Sequence, residues 1–187
     1  MAEEKIVISS PLTSEVIEKL KAGIQVLISG TIYSARDAAH RWLIQALDKG
    51  EKLPFDIKGQ TIYYMGPSPA RHGQIIGSAG PTTSSRMDMS TPRLIEAGLK
   101  GMIGKGERSS AVKDALKKHK AVYFVTIGGA GALLSKSIKK SEPVAYEELG
   151  AEAILKLTVE NFPAIVCNDI YGEDFFEQAR TQYCRGG

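Results

Sequence analysis

Short runs of apolar, mostly β-branched residues alternate along the chain with segments whose apolar positions recur every three or four residues. Residues 5–9 (KIVIS) predict an opening strand, and residues 11–21 set Leu12, Val16, Ile17 and Leu20 at the spacing of a helix face. Residues 25–29 (QVLIS) predict a buried strand, with Gly30-Thr31 turning the chain into a helix that Ser34 caps and Gly50 ends. Ala35, Ala38, Ala39, Trp42, Leu43, Ala46 and Leu47 line the inner face of that helix. Between residues 61 and 92 the character changes: 62–65 and 74–78 predict short strands, and glycine, proline, serine and threonine fill the gaps as loops. Thr91-Pro92 starts a helix reaching Ala97. A brief strand at 101–104, a helix at 109–119 and the most hydrophobic strand at 121–127 (AVYFVTI) follow. Residues 128–138 are glycine-rich and then helical. Strands at 144–146, 153–159 and 164–170 and a helix at 173–183 close the pattern. No repeat, low-complexity tract or linker interrupts it, and the alternation predicts a mixed α/β domain with an all-β side.

At 187 residues the chain is long enough to bury roughly 70% of its unfolded surface without staples. No run of about 18 apolar residues is present to cross a membrane. Met1, Ala2, Glu3 and Glu4 lack the basic-then-apolar start of an export signal, which together with the cysteine count predicts a cytoplasmic protein. Cys167 and Cys184 are too few for a disulfide framework. Twenty-four basic and 21 acidic residues leave a net charge of +3, too balanced for a polyanion binder. The densest basic stretch, residues 113–120, reads as the polar face of a helix whose stripe is Ala111, Val112, Ala115 and Leu116. No aromatic residues interleave its lysines, so nucleic acid is not an expected partner.

His40, His72 and His119 are scattered, and two cysteines with sixteen residues between them make no close ligand pair for zinc and too few thiolates for an iron–sulfur cluster. Cys167 reads as a small buried residue in an apolar strand. Gly128-Gly129-Ala130-Gly131-Ala132-Leu133-Leu134 follows a hydrophobic strand, as a dinucleotide loop does, yet Leu134 stands where the third glycine belongs. A tight strand-to-helix turn explains those glycines better. The strongest cluster is Gly80-Pro81-Thr82-Thr83-Ser84-Ser85-Arg86-Met87-Asp88. Its free backbone amides, two threonine hydroxyls and arginine fork suit a small anion, a carboxylate above all. Arg36, followed by Asp37 and His40, and Lys105, between Gly104 and Gly106, are further candidates. The set suits a dicarboxylate or hydroxy-dicarboxylate, while each residue also has a plain alternative: Arg36 paired with a helix carboxylate, Lys105 simply solvated.

Four motifs in one order carry a resemblance: Tyr33-Ser34-Ala35-Arg36-Asp37-Ala38-Ala39-His40, GPTTSSRM from Gly80, IGKG from Ile103 and TIGGAGALL from Thr126. Over nearly the whole chain the sequence resembles the β subunit, or C-terminal domain, of the class I iron–sulfur hydro-lyases that include fumarate hydratase and L-tartrate dehydratase. The resemblance implies one domain over residues 1–187 with the swivelling β/β/α fold, an α/β arrangement of mixed sheets and flanking helices. It implies reversible hydration of fumarate to malate at a site shared with an α subunit, which holds a [4Fe–4S] cluster that this chain does not. One iron of that cluster is left open as a Lewis acid for the leaving hydroxyl. A heterodimer or heterotetramer is the assembly implied. By the same resemblance Arg36, Thr82, Arg86 and Lys105 face substrate, with Thr82 the proton-transfer residue. His40 belongs to the first motif and either orients its neighbours or touches substrate. A threonine hydroxyl is a poor base unless an adjacent group activates it, so a partner carboxylate beside Thr82 is expected; Asp37 and Asp88 have no sequence-level claim to that place. Ser85 stands where relatives often carry glycine. The alternatives are the β subunit of L(+)-tartrate dehydratase and a non-catalytic module for small anions or nucleotides.

Overall fold

Apolar residues alternate along residues 154–168 in two phases: Leu157 and Val159 point inward, then Phe162, Ala164 and Val166. The phase slips at Glu160-Asn161, where Asn161 takes a positive φ of 50°. The extra residue is a β-bulge, because Ile28 pairs with Phe162 while Gly30, two residues on, pairs with Val159, three residues back. What the pattern predicts as two strands, 153–159 and 164–170, is therefore one strand of 15 residues.

The computed structural model describes residues 5–183; residues 1–4 and Cys184, on which the export-signal and cysteine readings partly rest, lie outside it. The strands are β1 (Ile6–Ser10), β2 (Gln25–Ser34), β3 (Thr61–Tyr63), β4 (Gly101–Gly104), β5 (Val122–Val125), β6 (Ile138–Ala145) and β7 (Ile154–Asn168). The helices are α1 (Ser14–Ile17), α2 (Asp37–Asp48), α3 (Thr91–Glu96), α4 (Ser110–His119), α5 (Gly131–Leu134) and α6 (Phe175–Tyr183), with 3₁₀ turns at Ser84–Met87, Ser135–Ser137 and Glu147–Glu152. All seven strands form one mixed sheet in the order β1-β2-β3-β4-β5-β7-β6, and a further antiparallel pairing of β7 with β2 closes it on itself. The ring β2–β3–β4–β5–β7 encloses a core of Ile28, Ile32, Tyr63, Ile103, Phe124, Leu157 and Phe162. On the outer face Tyr33, Ile62, Tyr64, Met102 and Tyr123 pack with Leu43 of α2, Leu94 of α3 and Leu116 of α4. This is the α/β arrangement of mixed sheet and flanking helices that the sequence predicts.

Several local expectations are corrected. Gly30-Thr31 does not turn the chain: β2 runs on to Ser34, with Gly30 at φ 103° pressed against the backbone of Ser10. Ser34 ends that strand and caps no helix; its hydroxyl accepts from Leu155 N at 3.3 Å, and the N-cap of α2 is Arg36. The helix predicted at 11–21 is the single turn α1, capped by Thr13. Residues 74–78 form no strand, and the strand expected at 144–146 is the end of β6, which starts at Ile138.

The arrangement matters for function because β2, β3, β4 and β5 are mutually parallel neighbours. Ser34 lies beside Tyr63, Tyr63 beside Ile103, and Ile103 beside Phe124, so all four strands release their following loops at one edge. The mouth outside the carboxyl ends of parallel strands is where α/β sheets bind ligands.

Candidate active site

Each of the four motifs is the loop that leaves one of those strand ends. Arg36 follows β2, Thr82 and Arg86 lie on the long loop after β3, Lys105 follows β4 directly, and the glycines at 128–131 follow β5. Backbone bonds stitch the loops together: Ala35 N donates to Tyr63 O at 3.2 Å, Thr82 N to Tyr64 O at 2.7 Å, and Ser84 N to Lys105 O at 2.9 Å. A parallel bridge joins Thr83 to Lys105. Two close approaches need glycine. A Cβ on Gly104 would overlap the Ser84 hydroxyl, and one on Gly66 would lie 3.0 Å from the Arg36 guanidinium.

The two arginines are held differently. Arg86 grips Asp37 with a two-pronged fork, Nε to Oδ1 at 2.8 Å and the second nitrogen to Oδ2, while its side chain stays half exposed. Burial would raise the Asp37 pKa, but the Arg86 hydrogen bonds and charge outweigh it and hold the carboxyl below its usual range. Arg36 donates to Glu152 Oε1 at 3.1 Å, and the other oxygen of Glu152 accepts from Ala38 N at 2.6 Å. Buried Nε of Arg36 has no hydrogen-bond partner among the described residues, leaving one donor unassigned at the site. Lys105 is exposed and forms no ion pair among the described residues, and its stem passes Gly128. The Thr82 hydroxyl likewise makes no hydrogen bond among them.

His40 lies beneath the surface. Its Nδ1 donates to the Arg36 carbonyl at 3.1 Å, its ring meets Tyr64 edge-on, and Nε2 is buried and unpaired. Burial pushes its pKa down to about 4, so the ring is neutral at pH 7. Its contact is with the backbone of Arg36, not with the guanidinium.

Sequence reasoning missed Glu152, distant in sequence and revealed only by its contact with Arg36, and missed Arg108. Arg108 is buried, bonding Asp88 Oδ1 at 2.8 Å, Thr91 Oγ1 at 2.8 Å and the Tyr64 hydroxyl at 3.3 Å. Its only local sign was its place three residues beyond Lys105. Asp88 also accepts from Ser109 N at 2.7 Å. Asp37 and Asp88 are thus both engaged by arginines.

The described residues of this chain do not fit an iron–sulfur cluster. Among the described residues no group of three or more His, Cys, Asp or Glu side chains gathers to hold a metal ion. Cys167 is buried, and burial pushes its thiol pKa up to about 12, away from the thiolate a metal requires.

The family profile described as "Fumarase C-terminus" matches residues 1–179. The chain belongs to the fumarase C-terminus family. This fumarase C-terminal chain is 44% identical over 176 residues to "Fumarate hydratase class I, aerobic" of Salmonella typhimurium, covering 91% of the chain and 30% of that protein. It is 40% identical over 164 residues to "Fumarate hydratase 2" of Leishmania major, covering 87% of the chain and 29% of that protein. A Methanocaldococcus jannaschii protein named as a candidate L(+)-tartrate dehydratase subunit beta is 37% identical over 177 residues, 91% of each chain. The fumarase C-terminal chain thus spans under a third of the first two relatives and nearly all of the third. Among the described residues no helix is long and apolar enough to cross a membrane.

Proposed function

We propose that this chain is the β-type part, one domain over residues 1–187, of an iron–sulfur hydro-lyase that reversibly hydrates fumarate to (S)-malate. The observation that carries the proposal is the convergence of Arg36, Thr82, Arg86 and Lys105, from three separate loops, on one edge of the parallel strands. The [4Fe–4S] cluster belongs in this reading to a partner α subunit; no ligand set for a metal gathers among this chain's described residues.

The chemistry follows from charge. Fumarate and malate are dianions, and taking the proton from the carbon beside a malate carboxylate pushes a further negative charge onto that carboxylate. Fixed positive groups at that carboxylate lower the barrier most. Arg86 is steadied by Asp37 through Nε and one terminal nitrogen and keeps its other terminal nitrogen for substrate, Lys105 offers an ammonium with no carboxylate partner among the described residues, and Arg36 adds a guanidinium charge held by Glu152. Thr82 moves the proton: its oxygen accepts it from carbon in dehydration and returns it in hydration. The hydroxyl must first lose its own proton. Asp37 and Asp88 are engaged with Arg86 and Arg108, so a carboxylate of the α subunit takes that role.

The test is anoxic co-purification with the α subunit, iron reconstitution and a fumarate hydration assay. Thr82→Ala is expected to lower kcat at least about 100-fold, the scale of a lost general acid–base. Unchanged turnover in Thr82→Ala would refute the role given to that residue. A second reading, the β subunit of L(+)-tartrate dehydratase, is favoured by the near full-length match to the Methanocaldococcus jannaschii protein. Consumption of tartrate without fumarate would establish it. Silence on both substrates from a loaded complex would leave a non-catalytic anion-binding module.

A further inference from the structure

Arg86 and Lys105 lie on different loops, and the backbone joins those loops only near Thr83, Ser84 and Lys105. Beyond Ser84 the chain makes a 3₁₀ turn that carries Arg86 outward and ends at Asp88. What anchors the far end of that turn is Arg108. Its Nε holds Asp88, while the neighbouring amide of Ser109 holds the other carboxylate oxygen. Its remaining nitrogens reach Thr91, where α3 starts, and the hydroxyl of Tyr64, whose carbonyl accepts from Thr82 N. The guanidinium also lies against two rings, 5.2 Å from the centre of Tyr64 and 4.8 Å from that of Tyr123. The Tyr123 hydroxyl is in turn 2.8 Å from both the Ser84 hydroxyl and the Gly106 carbonyl. Every partner of Arg108 therefore sits on, or directly braces, the segments that carry Thr82, Arg86 and Lys105.

We infer that Arg108 is a positioning residue that fixes the separation and aim of Arg86 and Lys105 for a dicarboxylate. Its side chain is fully buried and that of Asp88 is 11% exposed. A buried ion pair seldom stabilises a protein more than apolar residues of the same size. What an arginine adds is a rigid plane of donors, which holds several segments in one fixed geometry. Lysine, a point charge on a flexible stem, cannot do this. Dicarboxylate recognition needs such geometry because two fixed cations must match two carboxylates at one spacing, and a misplacement of about 1 Å costs heavily. The inference deepens the proposed function, resting on it for the ligand but not for the loop geometry.

Two measurements test it. In the full chain alone, backbone amide exchange is followed in wild type, Arg108→Lys and Thr91→Val. Residues 82–88 and 105–109 are expected to exchange about tenfold faster in the variants, with β2 and β7 unchanged, as local rather than global opening requires. Should Arg108→Lys fail to fold, Thr91→Val, which removes an acceptor of the Arg108 guanidinium, carries the same comparison. Unchanged exchange in the folded variants overturns the inference. In the complex with the α subunit, KM for fumarate is expected to rise about tenfold in Arg108→Lys, because the residues displaced are those that bind carboxylate. Mere loss of folded protein would lower apparent kcat and leave KM alone. The double variant Arg108→Met/Asp88→Leu separates the roles further: it is expected to recover thermal stability while KM stays high. Recovery of KM along with stability would show that the pair only fills space, and the inference would fall. A wild-type complex inactive on both fumarate and tartrate would instead refute the proposed function, while the exchange comparison would still decide the place of Arg108.

Discussion

Arg86 spends Nε and one terminal nitrogen on Asp37, which holds the guanidinium still and, in the proposed site, leaves its other terminal nitrogen for substrate. Because Arg86 is half exposed, the pair contributes little to folding, about 1 kcal/mol or less. Asp37→Asn is therefore expected to leave the urea midpoint nearly unmoved while raising KM for the dicarboxylate several-fold. Steady-state kinetics beside a denaturation curve checks both halves. His40 behaves in the opposite manner, as a stability residue with a pH signature. Burial lowers its native pKa to about 4, against about 6.5 for an unfolded histidine. Between those values the unfolded chain binds a proton that the native chain does not, so stability falls as pH drops from about 6.5 to about 4 and then levels. Urea unfolding at pH 7 and pH 5 is expected to show this loss in wild type and a smaller one in His40→Leu. A loss equal in both proteins would assign the slope to other groups.

At the scale of elements, two glycines decide whether neighbouring segments meet. Gly30 sits in β2 with a positive φ of 103°, and a side chain there would collide with the Ser10 carbonyl at the end of β1. Gly30→Ala combines left-handed backbone with a backbone clash, and a destabilisation of at least about 2 kcal/mol is expected by chemical denaturation. Gly104 closes β4 under the Thr82 loop, where a methyl group would displace Ser84 and touch the Tyr64 ring. If the proposed function holds, Gly104→Ala is expected to lower turnover of the complex more than stability, since what must yield is the loop carrying Thr82 and Arg86. Equal losses in activity and in folded fraction would refute that. The helices contribute in a simpler way. α2 and α4 bury Leu43 and Leu116 against the outer face of the sheet.

Across the whole molecule, β7 ties the sheet together by pairing with β2, β5 and β6. A residue buried on β7 is therefore load for the closed ring rather than for one hairpin. Phe162→Ala, which empties a fully buried site against Tyr63, is expected to cost about 3–5 kcal/mol in one cooperative transition. Val7→Ala on the edge strand β1, where the side chain is 64% exposed, is expected to change stability by about 0.5 kcal/mol or less. Denaturation curves of the two variants measure the contrast.

Periodicity determined most of the alternation of strand and helix, the apolar stripe of α4 and the mixed α/β class, because these depend on neighbours within a few residues, whereas Gly30 marked a close approach to Ser10 and not the turn it predicted. The motifs determined which residues were candidates, since Arg36, Thr82, Arg86 and Lys105 each stand in an unusual local setting. Strand closure was not legible: the bulge at Asn161 breaks the alternation and hides that β7 is continuous, and pairing with β2 joins residues over a hundred positions apart. The engagement of Arg36 by Glu152 and the burial of Arg108 were equally hidden. A charged residue looks the same in sequence whether solvated or enclosed. Only the tertiary structure sets a carboxylate, two hydroxyls and two rings around one guanidinium, because those contacts exist only once four parallel strands deliver their loops to the same edge.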